Sequence, residues 1–139
     1  MKRTITVLAL AGAVVTLAAT AVPASATPST QAPNSALAGC YNTGCNGRDP
    51  IDQGCTDAIT TYSLSTSLGR LEHRYSSTCN ASWARITGAS AGTWFYVQTC
   101  YGPYVQTYNV PSSYASAYTD MVPGRDNIRV GNAVNHGPC

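Results

Sequence analysis

Six cysteines constrain this chain more than any other feature: Cys40, Cys45, Cys55, Cys79, Cys100 and Cys139. The count is even, and all six follow a segment that reads as a secretion signal. That combination predicts a small domain stapled by three disulfides, matured in an oxidising compartment and secreted to the cell exterior.

The signal is expected over residues 1–26. Lys2 and Arg3 form a basic start, Thr4 to Val22 is uncharged and apolar, and Ala24-Ser25-Ala26 is a small-x-small cleavage site. No basic stop-transfer cluster follows, so no membrane attachment is expected after cleavage. The full chain has 8 basic and 6 acidic residues. Losing Lys2 and Arg3 leaves the mature charge balanced, which argues against nucleic acid or an anionic membrane as partner. The remaining basic residues are all arginines, in keeping with an Ala-, Thr- and Gly-rich composition.

Residues 27–38 (TPSTQAPNSALA) hold Pro, Ser, Thr and Ala but no aromatic group. Such a segment buries too little surface to offset the entropy of ordering and reads as a disordered leader. Residues 39–139 then form one domain of about 100 residues, large enough for a modest core.

That domain reads as strands. Residues 58–64, 70–76, 83–87, 93–101, 104–108, 118–122 and 127–134 are runs rich in Thr, Val, Ile, Tyr and Trp, separated by Gly, Pro, Ser and Asn. Leu71, His73 and Tyr75 alternate with Arg70, Glu72 and Arg74, as in a strand buried on one face. Gly102-Pro103 marks a hairpin turn. Pro111 to Ala117 allows a helical turn at most, and no longer segment has a helical period. The expected fold is all-β, a small antiparallel sandwich or open barrel.

Pairing the first two strands around residues 66–68 makes facing residue numbers sum to about 134 by antiparallel geometry. Cys55 and Cys79 satisfy that sum, which predicts a Cys55–Cys79 bridge. Cys40–Cys45 would then close a local loop, and Cys100–Cys139 would fasten the C-terminus. In this register Ile59 and Tyr62 fall on opposite faces, a conflict left for the structure to resolve.

The run Cys45-Asn46-Gly47-Arg48-Asp49-Pro50, then Gly54-Cys55, Leu71 to Ser76, Cys79 and Ala81 to Ile86, resembles the YjfA-like family of small secreted bacterial proteins of unknown function. Tyr118-Thr119-Asp120-Met121-Val122 is similar to that family's Tyr-Thr-x-Met-Val element. The resemblance implies an exported, often actinobacterial, domain. It brings no activity and no catalytic residues.

Several motifs tempt a catalytic reading. Gly88-Ala89-Ser90-Ala91-Gly92 matches the G-x-S-x-G elbow, with Asp120, Asp126 and His136 following in hydrolase order. The elbow requires a strand entering a helix, whereas this pentapeptide joins two strand-like runs. Glu72, His73 and Arg74 suggest a ribonuclease-like acid–base set, but alternation turns His73 away from its neighbours. Two distant histidines and oxidised cysteines make no zinc site. Asp49, Asp52 and Asp57 fit turn and cap carboxylates rather than a calcium loop. No cofactor is implied, and no catalytic or metal residue is assigned.

The aromatic residues are the strongest functional lead. Trp94, Tyr96, Tyr101, Tyr104 and Tyr108 crowd the second half, with Tyr114 and Tyr118 beyond. Their flat apolar faces and polar edges suit sugar rings or protein partners. The favoured expectation is a non-catalytic exported binding module for cell-wall polysaccharide or an extracellular protein, with the first five as its contact face. The alternatives are a small secreted enzyme and a protease inhibitor presenting the Cys45–Cys55 loop with Arg48 near its tip.

Overall fold

The computed structural model describes residues 38–139. The expected signal, 1–26, lies outside the described residues, as does the expected leader apart from Ala38. Ala38 packs against a cysteine-rich cluster.

Among the described residues, eight antiparallel strands build two sheets. The first runs β1 (Ile59–Thr66), β2 (Gly69–Ser76), β3 (Ala81–Thr87), β6 (Ser116–Tyr118), with β7 (Val122–Pro123) also on β3. The second runs β5 (Val105–Asn109), β4 (Trp94–Thr99), β8 (Ile128–Asn132). Their inner faces pack as a sandwich. Leu71, Ala84 and Ile86 of the first sheet share a core with Phe95, Val97, Ile128 and Val130 of the second. Fully burying each of these side chains other than Ala84 contributes about 1.5–3 kcal/mol.

The conflict between Ile59 and Tyr62 is resolved by a bulge. Ile59 faces Tyr75 and Thr60 faces Arg74, as the sum of 134 requires, but then Tyr62 faces His73. Thr61 is the extra residue, and its insertion turns Tyr62 and Leu64 to the face of Leu71. Both then pack against the core, which strict alternation would forbid.

The three disulfides are Cys40–Cys45, Cys55–Cys79 and Cys100–Cys139. The first two bind a short 3₁₀ turn, Asn42–Cys45, and the following loop over one end of the first sheet's outer face. Cys45, Cys55, Cys79, Ala81, Trp83 and Met121 form a second buried cluster there. Asp57 ties down the adjoining corner. Its carboxylate accepts hydrogen bonds from the Ser76 hydroxyl, from Ser77 Oγ at 2.7 Å and from the Thr78 amide at 3.0 Å. Burial raises its pKa, but those donors outweigh it and hold the carboxyl well below the usual range.

The expected strand 118–122 is in fact two short ones. β6 pairs with Arg85–Thr87 and β7 with Ala81–Ser82, leaving residues 119–121 between them. Thr119 stays on β3, donating its amide to the Ala84 carbonyl and accepting the Ala84 amide on Oγ1. Met121 instead turns to the cysteine-flanked loop. Gly47 donates to its carbonyl at 2.9 Å, and its own amide donates to the Arg48 carbonyl at 3.0 Å. The side-chain bond by Thr119 and a competing backbone partner break the ladder.

Candidate functional site

The five aromatics expected to share a contact face occupy different surfaces. Trp94 and Tyr96 stand together on the outer face of the second sheet, ring centroids 5.2 Å apart. Tyr108 lies on the inner side of its strand, opposite Phe95 and edge-on to it. Tyr104 is half-buried against the main core, and Tyr101 sits almost free at the hairpin tip. The alternation of β4 explains the split, since Phe95 and Val97 take the core positions and push Trp94 and Tyr96 outward.

Tyr108 instead joins a groove that the sequence did not delimit. It measures about 570 Å³ and is lined by Tyr108, Pro111, Tyr114 and Tyr118, with Asp49, Asp120 and Arg85 among its polar groups. Each part has a local cause. Tyr118 opposes Arg85 on β6, on the sheet's outer face. Pro111 starts the turn closed by the Tyr114 amide on the Pro111 carbonyl at 3.1 Å. Asp49 arrives on the cysteine-flanked loop. Cys45 to Arg48 form a tight turn in which Asn46 has φ −57 and ψ 126 and Gly47 has φ 69, closed by Arg48 N on Cys45 O at 3.0 Å.

The groove's charges are uneven. Arg85 is already paired, its guanidinium 2.5 Å from the Glu72 carboxylate, which Arg70 also approaches at 3.7 Å. Asp49 uses one oxygen to accept the Ile51 and Asp52 amides at 2.7 and 3.2 Å. Its other oxygen accepts the Tyr118 hydroxyl at 3.2 Å. Asp120 has neither a hydrogen-bonded nor an ion-paired side-chain partner among the described residues. Its pKa is raised by burial and by the charge of Asp49. Tyr118 is raised by burial, then by Asp49. The lining therefore carries uncompensated negative potential beside three phenol rings.

The catalytic candidates do not assemble. His73 points into the sandwich, where Nδ1 meets Thr61 Oγ1 at 2.7 Å and Nε2 is buried without a partner among the described residues. Burial, then Arg125, lower its pKa to about 4. Glu72 lies on the opposite face of the same strand, held by Arg85. His136 contacts Gly137 and Asn135 near β8. Ser90 lies on the exposed loop between β3 and β4, a strand–loop–strand setting in which no helix follows the serine. The sulfurs of Cys40, Cys55 and Cys79 converge, but all are consumed in disulfides and offer no thiolate. The inhibitor loop is stitched down through the Gly47 and Arg48 backbone, which leaves less main chain for a protease to engage.

The sequence alone marks Asp49 as a turn residue and Tyr114 and Tyr118 as members of an aromatic crowd. It has no means of joining them to Asp120 and Arg85, because the groove is made where three distant segments meet. The usable signal was the Tyr118-Thr119-Asp120 run, a surface aromatic beside an acid.

No curated protein and no solved structure matches the chain. Residues 43–132, from the 3₁₀ turn to the end of β8, match a family described as a protein of unknown function, DUF2690, and the chain belongs to that family.

Proposed function

We propose that this protein is a non-catalytic binding module exported by a bacterium, and that the tyrosine groove is its contact site for a glycan. The observation that carries the reading is the groove's composition: Tyr108, Tyr114 and Tyr118 with Pro111, bordered by carboxylates. Exposed phenol rings offer apolar faces for a sugar ring, and carboxylates accept from sugar hydroxyls. Secretion is supported by the signal-like start and by three disulfides. The motif likeness to the YjfA-like group and an actinobacterial source belong to the same reading.

Trp94 and Tyr96 form a second aromatic surface on the outer face of the second sheet, but the groove sets three tyrosines beside carboxylates in one concavity and is favoured for that reason. The test is retention on insoluble cell-wall polysaccharide. The wild-type protein and Trp94→Ala should be retained, whereas a Tyr108→Ala/Tyr114→Ala double variant should be released. Equal retention of all three, or loss only with Trp94→Ala, overturns the assignment.

A further inference from the structure

Asp120 is the unusual group in this molecule. Its loop is tied to the cysteine-flanked turn by the two backbone hydrogen bonds between Met121 and residues 47 and 48. That pairing brings Asp120 alongside Asp49, two like charges on facing segments. Such a pair weakens the fold. Asp49 has compensation from backbone amides and the Tyr118 hydroxyl. Asp120 has none, and the nearest lining cation, Arg85, is spent on Glu72. An exposed carboxylate that has no side-chain partner among the described residues and lines a groove of tyrosines beside a second carboxylate is complementary to a cation.

We infer that the groove selects a sugar carrying a protonated amine, with the ammonium group set between Asp120 and Asp49 and the ring against the tyrosine faces. The inference rests on the glycan reading above and adds the substrate class, an N-deacetylated amino-sugar polymer. Three features support the cation. The two carboxylates have no ion-pair partner among the described residues. The phenol rings of Tyr108, Tyr114 and Tyr118 attract a cation through their quadrupoles. Burial and Asp49 raise the proton affinity of Asp120, the strain that a bound ammonium relieves. An N-acetylated sugar keeps the ring but loses the charge, and its amide meets an acceptor-only carboxylate pair with a single N–H.

The experiment titrates the purified protein with glucosamine oligosaccharides and with N-acetylglucosamine oligosaccharides of the same length, near pH 6. The free amine should give about tenfold tighter binding, from one partly screened charge pair plus cation–π attraction. Asp120→Asn should abolish that preference, bringing the affinity for the glucosamine oligomer down to that for the N-acetylated one. The same variant should melt no lower than wild type, because removing one of two repelling charges costs the fold nothing. A lower melting temperature for Asp120→Asn makes Asp120 a structural residue and overturns the inference. Equal affinity for the two oligomers also overturns it and leaves the glycan reading standing. Binding of neither oligomer overturns the inference, and the retention test above then decides the glycan reading separately. Equally tight binding of spermine, a cation without a ring, overturns the glycan reading and so the sugar class proposed here.

Discussion

Removing the disulfides one at a time separates two sources of stability that predict different rankings. In the loop-closure account a bridge stabilises by restricting the unfolded chain, more for longer loops. The separations are 5, 24 and 39 residues for Cys40–Cys45, Cys55–Cys79 and Cys100–Cys139. These convert to about 2, 3.5 and 4 kcal/mol respectively. Loop entropy alone therefore makes Cys100–Cys139 the costliest to lose.

Burial reverses that order. Cys55 and Cys79 are 1% and 0% exposed, inside the cluster with Trp83 and Met121, whereas Cys139 is exposed and Cys100 half-buried. Replacing both buried cysteines by alanine leaves a void where two sulfurs stood, at about 1 kcal/mol each. Cys55→Ala/Cys79→Ala should then cost about 5.5 kcal/mol, against about 4 for Cys100→Ala/Cys139→Ala and about 3 for Cys40→Ala/Cys45→Ala. A domain of this size has about 5–15 kcal/mol in all, so the first variant sits near the edge of folding. The gap of about 1.5 kcal/mol should appear as a difference of about 6–12 °C in Tm between the first two variants. Urea and thermal unfolding followed by tryptophan fluorescence reads this directly, because Trp83 lies in the affected cluster. If Cys100→Ala/Cys139→Ala is the least stable, loop entropy dominates and the packing argument fails.

Three further outcomes are expected. His73, with a pKa of about 4 in the fold, binds protons more weakly there than in the unfolded chain. Its contribution should be complete above about pH 6.5 and lost as pH falls toward 4, about 3 kcal/mol in total, and His73→Gln should flatten that slope in urea titrations at stepped pH. Gly131 lies under the ring of Tyr96, where an added Cβ would stand 2.5 Å from ring atoms. Gly131→Ala should therefore cost about 1–3 kcal/mol, and Tyr96→Ala should recover part of it in a double-mutant cycle. Gly47 has φ 69, so Gly47→Val should lower stability by about 1–3 kcal/mol, whereas Arg48→Ala, exposed and without an ion pair among the described residues, should stay within about 0.5 kcal/mol in the same melts.

Much of the architecture could be read from local pattern. The alternation of Leu71, His73 and Tyr75 against Glu72 and Arg74 separated the two faces of β2 correctly, because a strand has period two, but the charged face is not simply outward: Glu72 and Ser76 on it are buried as well. The same alternation explains why the proposed aromatic face dispersed. Trp94 and Tyr96 share a parity that Phe95 and Val97 do not, and no local rule says which surface Tyr108 on the neighbouring strand will reach. Hairpin arithmetic brought Cys55 to Cys79, even though the register slips by one beyond Thr60.

The sequence by itself determined that the six cysteines would be paired, most of the strand runs and the two-residue alternation of β2, since these depend on residue type and on neighbours in the chain; it suggested the pairing of the cysteines without fixing it. Only the tertiary structure decided three things. It inserted Thr61 as a bulge, because Tyr62 and Leu64 gain more from the core than a regular ladder would give. It broke 118–122 into two strands, because Met121 found backbone partners at Gly47 and Arg48 that lie far away in sequence. And it set Asp49, Asp120 and three tyrosines around one groove, an arrangement of distant segments whose chemistry no single stretch of the chain contains.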